Sequence, residues 1–83
     1  MTQTLRVTYD PEARAAYLYL TGTIRAGEAK RTIPLTDEGV EDIILDFDAE
    51  GHLIGIEILN PALLHPTLMA QAVRPGGMPL TSP

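Results

Sequence analysis

The chain has 83 residues, of which 45% are hydrophobic, and it carries a formal net charge of −5. This length fits one small domain, and the hydrophobic content is too high for a disordered protein. There is no cysteine, and Ser82 is the only serine, which excludes disulfides, zinc–cysteine sites and most nucleophilic catalysis. No apolar run approaches about 18 residues and the amino terminus lacks a signal-peptide pattern, so we expect a cytoplasmic protein that does not enter a membrane.

The negative charge is concentrated in the middle of the chain. Residues 37–60 contain eight Asp and Glu and no Lys or Arg, whereas the segments on either side are slightly basic. An acidic surface of this kind argues against nucleic-acid binding, which needs clustered cations. It is either a solvated face that keeps the protein soluble or a patch that attracts a basic protein partner.

Alternation of apolar and polar residues predicts strands along most of the chain. The first strand is Leu5 to Tyr9, the second is Arg14 to Leu20, and the segment Asp10–Ala13 between them has the sequence of a type I turn. A turn of this length pairs Val7 with Ala16. A slip of one residue, which would place Val7 opposite Tyr17, stays open at this point.

The third strand, Glu28 to Leu35, has the Lys, Arg and Pro residues of an exposed edge strand. The fourth and fifth strands, Asp42 to Asp48 and His52 to Leu59, form a hairpin that Glu50-Gly51 closes as a type I′ turn. The register of this hairpin predicts three apolar pairs, which are Ile43 with Ile58, Leu45 with Ile56, and Phe47 with Ile54.

Two Asn/His-Pro steps predict helical segments after the last strand. Asn60-Pro61 starts a short turn over 61–64, and His65-Pro66 starts a helix over 66–73. Its apolar stripe consists of Leu64, Leu68, Met69 and Val73. We therefore expect a mainly β (α+β) domain over residues 1–73, a single antiparallel β-meander of about five strands with a short C-terminal helix. Residues 74–83 form a flexible Pro/Gly-rich tail.

Two stretches resemble the domain-of-unknown-function family 2283 of small bacterial proteins. Tyr9-Asp10-Pro11-Glu12-Ala13, followed by Ala15 and Tyr17-Leu18, is similar to its opening motif. The run from Asp46 to Leu59 is similar to its closing motif, Asp-x-Asp-x-x-Gly-x-x-x-Gly-Ile-Glu-Ile-Leu. The resemblance covers roughly residues 5 to 64, and the chain departs from the family at Arg14 and in its tail.

The resemblance implies a small antiparallel sheet domain with no established catalytic residues. Some relatives are encoded beside small toxin-like proteins of ribonuclease fold, which implies an antitoxin-like role. A calcium loop is a competing interpretation, because Asp46, Asp48, Glu50 and Glu57 have the spacing of an EF-hand. The predicted strands on both sides exclude that fold, and the two histidines lack companions for a metal site. We expect no catalytic residue, no metal and no cofactor.

Both faces of the predicted sheet carry apolar residues, which favours a homo-oligomer, most simply a dimer. The candidate interface consists of Tyr17, Tyr19, Ile44 and Leu53, and the candidate acidic partner patch consists of Asp42, Asp46, Asp48 and Glu57. Two function classes stay open. The first is a non-catalytic protein-binding module, antitoxin-like toward a small basic partner. The second is a domain that responds to a small ligand or a divalent metal, with an enzyme as its weakest version.

Overall fold

A computed structural model of the protein describes residues 5–35 and 42–75. The strands are β1 (Arg6–Asp10), β2 (Ala15–Tyr19), β3 (Arg31–Pro34), β4 (Ile43–Phe47) and β5 (Leu53–Ile58), followed by a 3₁₀ turn (Pro61–Leu63) and a helix, α1 (Pro66–Ala70). Every strand pair is antiparallel. The predicted class, an antiparallel five-stranded sheet with one short helix near the C-terminus, is confirmed.

The order of the strands is β1-β2-β5-β4-β3, which differs from the sequential order of a meander. The connection after β2 passes to the far edge of the sheet, and β5 takes the place beside β2. This order pairs Ala16 with Ile58 and Leu18 with Ile56, so the most apolar strands lie together in the middle. The edge position predicted for β3 is confirmed. The N–H of Leu35 donates to the carbonyl of Ile43, so the backbone nitrogen of the preceding Pro34 faces away from β4. The sheet therefore loses no hydrogen bond at this proline.

The register between β1 and β2 differs from both sequence alternatives. Val7 pairs with Leu18, and Asp10 pairs with Ala15, so the connecting loop is Pro11–Arg14. The carboxylate of Asp10 accepts bonds from the two amides of Glu12 and Ala13, and Arg14 completes the loop at a φ of 55°. The loop therefore starts one residue later than predicted. The resulting shift of two residues leaves every side chain on its predicted face.

The β4–β5 hairpin has the predicted register only in part. Ile43 pairs with Ile58 and Leu45 with Ile56, but Phe47 pairs with Leu53 and not with Ile54. The turn is not type I′, because Gly51 alone has a positive φ, of 85°. Its three loop residues, 49–51, lie between Asp48 and His52, whose backbones are bonded at 2.9 Å. A loop of three residues, instead of the predicted two, shifts the residue pairs next to the turn by one position. The bulge between Asp46 and Phe47 returns the remaining pairs to the predicted register.

The core lies between one face of the sheet and the chain after β5. Its buried cluster contains Val7, Ala16, Leu18, Ile58 and Leu64, with Leu68 and Met69 of α1 packed against it. We call this side of the sheet the helix face. The core covers the β1-β2-β5 side, whereas all five residues of β4 are only half-buried. Phe47, one of the apolar residues of the predicted hairpin pairs, is therefore partly exposed.

The helix is shorter than predicted because the chain turns to join the sheet. After Ala70, Val73 forms a parallel bridge with β1. Its N–H donates to the carbonyl of Val7 at 3.1 Å, and its carbonyl accepts from the N–H of Tyr9 at 2.8 Å. The segment to Val73 thus covers the outer edge of β1. The predicted tail residues 76–83 lie outside the described residues. Within the described ranges, no helix is long and apolar enough to cross a bilayer.

Candidate functional site on the tyrosine face

Tyr17 and Tyr19 lie on the side of the sheet opposite the helix, which we call the tyrosine face. Because side chains alternate along a strand, Ala16 and Leu18 enter the core while the two tyrosines point the other way. The centroids of the two rings are 4.7 Å apart, and the ring planes are inclined at 52° to each other. In the ladder, Tyr17 is opposite Glu57 and Tyr19 is opposite Gly55.

The hydroxyl of Tyr17 reaches across β5 to a carboxylate on β4. It donates to Oδ2 of Asp46 at 2.5 Å, and the hydroxyl of Thr32 on β3 donates to Oδ1 at 2.8 Å. Gly55 makes this crossing feasible. A Cβ at position 55 would lie within 2.6 Å of two ring carbons of Tyr17. The network therefore links β2, β4 and β3 over the one residue of β5 that has no side chain.

The environment of Tyr17 keeps its phenol protonated. Burial raises the pKa of Tyr17 well above its ordinary value, and the hydrogen bond to Asp46 and the negative charges of Asp46 and Glu57 raise it further. A phenol held in this way acts as a hydrogen-bond donor. It is a poor base and a poor nucleophile, since both roles require the phenolate.

The side chain of Arg6 lies over the ring of the other tyrosine, Tyr19. The guanidinium carbon of Arg6 on β1 lies 4.5 Å from the centroid of the Tyr19 ring, within the range of a cation–π contact. Arg6, Tyr19, Tyr17, Asp46 and Thr32 thus form a continuous strip of contacts over all five strands. Arg6 and Thr32 at the two ends of the strip are exposed, whereas Tyr19, Tyr17 and Asp46 between them are half-buried.

The structure brings together three of the four predicted interface residues. Tyr17, Tyr19 and Ile44 lie on the tyrosine face, where Ile44 is paired with Glu57 and Pro34. Leu53 does not join them, because the bulge pairs it with Phe47 of the helix face. Directly paired residues of a ladder project to the same side. The bulge, which the sequence pattern does not reveal, is the physical reason for this difference.

The predicted acidic patch is divided between two places. Asp46 and Glu57 lie on the tyrosine face, and Asp42 follows at the start of the same hairpin, where its carbonyl accepts from Leu59 at 2.7 Å. Asp48 lies in the turn instead. Its carboxylate accepts from the amides of Glu50 and His52 at 3.0 and 2.9 Å, so its function is to hold the hairpin loop.

Arg6, Thr32 and Gly55 belong to the site and were not singled out in the sequence. For Gly55 a signal existed, since a glycine in the interior of a strand often marks the close approach of another group. For Thr32 and Arg6 there was none, because their contacts depend on register: Arg6 is opposite Tyr19 in the β1–β2 ladder, and Thr32 is opposite Asp46 in the β3–β4 ladder. In the described ranges, no three His, Asp or Glu side chains form a group that holds a metal ion.

Comparison with known proteins identifies a family for the chain. A family profile described as Protein of unknown function (DUF2283) matches residues 6–60, which is well over half of the chain. The matched range begins with β1, ends after β5 and contains every residue of the strip on the tyrosine face. No curated protein and no solved structure matches the chain. The chain belongs to the DUF2283 family.

Proposed function

We propose that the protein is a non-catalytic binding module whose tyrosine face binds a small basic protein, in the manner of an antitoxin. The observation that carries this proposal is the strip over the five strands, in which Arg6 lies on Tyr19 and Tyr17 holds Asp46. The strip combines aromatic rings with carboxylates, and it already accommodates one guanidinium. Such surfaces suit Arg and Lys side chains of a partner.

The charge of the chain supports a basic partner. Asp46 and Glu57 occupy neighbouring positions on the tyrosine face, and Asp42 lies at the end of the same strand pair. Arg6 is the one basic residue that the five strands place on this face. An opposite charge on the partner increases the association rate and selects against acidic proteins.

The non-catalytic part of the proposal rests on the shape and the chemistry of the face. The strip is a partly exposed surface with Arg6 and Thr32 exposed at its ends, whereas acid–base catalysis by paired carboxylates needs a desolvated cleft. The raised pKa of Tyr17 makes its phenol a donor that fixes Asp46 in place. These features favour a rigid recognition surface. The choice of a toxin-like ribonuclease-fold partner follows from what the resemblance of the sequence motifs implies.

We expect a gene beside this one to encode a small basic protein of ribonuclease fold, and its absence contradicts the choice of partner. The proposal is tested with that protein, by isothermal titration and by its RNA cleavage. We expect binding at micromolar concentration or tighter, together with inhibition of cleavage. Tyr19→Ala is expected to weaken binding about 10- to 100-fold, as for an aromatic interface residue. Glu57→Gln is expected to weaken it about 3- to 10-fold and to reduce its salt dependence.

Glu12→Gln is the matched control, because Glu12 is an exposed carboxylate in the β1–β2 loop, away from the strip. It removes the same charge and is expected to leave the affinity unchanged within about twofold. Absence of binding at about 100 μM, or an equal effect of the two Glu→Gln changes, contradicts the proposal. Retained RNA cleavage in a saturated complex contradicts the antitoxin role alone.

A further inference from the structure

The helix face has an apolar region that α1 does not reach. The buried cluster with α1 involves β1, β2, β5 and the start of β4, and the helix has its main contact with β1. Beyond it lie Ile33, Leu45 and Phe47, all half-buried, with Leu20 and Leu53 at the rim, each 38% exposed. We call these five residues the β3–β4 patch.

The residues of the β3–β4 patch are neighbours in the ladder. Ile33 is paired with Leu45, and Phe47 is paired with Leu53. Leu20 continues the same rows from β2, since its N–H donates to the carbonyl of Ile54 at 3.0 Å. Ile54, beside Leu20, is only 2% exposed, so the chain itself covers part of these rows. The partly exposed members of the patch are apolar neighbours on the outer half of the sheet. Contiguous apolar surfaces of this kind mark interaction sites in soluble proteins.

The distribution of charge identifies the occupant of the patch. The five strands contain three carboxylates, Asp10, Asp46 and Glu57, and strand alternation places all three on the tyrosine face. The one charged strand residue on the side of the patch is Arg31, at the edge beside Phe47. Since no strand carboxylate lies on this side, a basic partner gains no electrostatic attraction there.

A second copy of the chain is acidic as well, so it is best accommodated on a surface without carboxylates. Each copy carries a net charge of −5, so pairing through the tyrosine face would bring Asp46 and Glu57 against their counterparts. Pairing through the β3–β4 patch keeps these carboxylates on the two outer surfaces. Packed sheets are about 10 Å apart, so the charges are then separated by more than the Debye length of about 8 Å.

The size of the core also favours association. The described residues include six buried hydrophobic side chains, Val7, Ala16, Leu18, Ile54, Ile58 and Leu64. This is a small core for a domain without disulfides or a metal, and oligomerisation is a common remedy. We propose that two copies of the chain pack face to face through their β3–β4 patches, as a homodimer that leaves both tyrosine faces open to partners.

The test measures the oligomeric state by sedimentation over about 1–100 μM, with wild type and two matched Lys variants. Ile33→Lys lies in the patch, and Ile44→Lys lies in the neighbouring strand on the tyrosine face. Both side chains are half-buried in the wild type, and both variants change the charge equally. We expect a dimer of wild type and of Ile44→Lys, and dissociation at least about tenfold easier for Ile33→Lys.

Leu53→Lys is the second patch variant, because its exposed side chain tolerates the change if Ile33→Lys does not fold by circular dichroism. It is also expected to favour the monomer. A 9.0 kDa wild type at about 100 μM, or a dimer that Ile44→Lys breaks and the patch variants do not, overturns the proposal. A chain ended after Arg74 that forms a dimer while the wild type stays a monomer also overturns the proposal, because the tail then covers the patch in the wild type. The result is independent of binding at the tyrosine face.

Discussion

At the scale of single residues, Gly55 fixes the geometry of the tyrosine face. Its backbone is ordinary strand, so the requirement for glycine comes from the ring of Tyr17 above it. Gly55→Ala forces the ring away from β5 and separates its hydroxyl from Asp46. We expect a loss of about 1–3 kcal/mol in the free energy of unfolding, measured by urea denaturation.

A double-mutant cycle separates this clash from the intrinsic effect of alanine in a strand. In a Tyr17→Ala background, position 55 no longer faces a ring. Gly55→Ala is then expected to be neutral or slightly stabilising. Equal losses in the two backgrounds would show that Tyr17 does not rest on Gly55.

Tyr17 also gives the fold a dependence on alkaline pH. The folded-state pKa of Tyr17 is raised above that of the unfolded chain, first by burial and then by Asp46. The stabilisation is therefore complete below about pH 10 and is lost as the pH rises above it. We expect Tyr17→Phe to reduce the fall in melting temperature between about pH 9 and 11. An unchanged alkaline fall in Tyr17→Phe would assign the effect to other groups.

At the scale of elements, the bulge in the β4–β5 hairpin decides which residue is buried. Ile54 is 2% exposed, whereas Phe47 is half-buried. Ile54→Ala is expected to reduce the free energy of unfolding by about 2–5 kcal/mol, and Phe47→Ala by about 1–2 kcal/mol. Denaturation at about 1 μM measures both values with little dimer present. A larger loss for Phe47→Ala at this concentration would restore the register without a bulge.

The turn of the same hairpin has an acid-sensitive residue. The backbone N–H of His52, together with that of Glu50, holds the pKa of Asp48 below its usual range. A depressed folded-state pKa stabilises the fold above about pH 4, and the contribution is lost as the pH falls through the folded value. Asp48→Asn is expected to flatten the fall in melting temperature between about pH 5 and 3. Glu50→Gln, an adjacent exposed change of equal charge, is expected to leave that fall intact.

The elements also show how far a single sequence specifies the sheet. Period-two alternation assigned Val7, Leu18 and Ile56 to the core side, because the side of a strand follows from parity alone. A shift of two residues leaves the alternation of sides unchanged, so the alternation could not locate the β1–β2 loop. It also does not reveal a bulge, and Leu53 was consequently placed on the wrong face. Strand order depends on contacts between distant segments, and so does the meeting of Tyr17 and Asp46 across β5.

At the scale of the whole molecule, Val73 joins the chain after α1 to the sheet. The two backbone bonds of Val73 to Val7 and Tyr9 cover the outer edge of β1. A chain ended after Arg74 keeps these bonds, and its melting temperature is expected to stay within a few degrees of wild type. A chain ended after Ala70 loses them and exposes the edge of β1. We expect it to be less stable by about 1–3 kcal/mol and more prone to aggregate.

Thermal denaturation of the two truncated chains, followed by circular dichroism, measures the difference. The comparison is internally controlled, because the truncations differ only in residues 71–74. Gln71 belongs to the lost segment as well, and its amide donates to the carbonyl of Leu5 at 3.1 Å. Val73→Pro in the full chain removes one donor to Val7 and leaves the length unchanged. If it melts like wild type while the shorter truncation is destabilised, the anchoring depends on Gln71 and not on the bridge to β1.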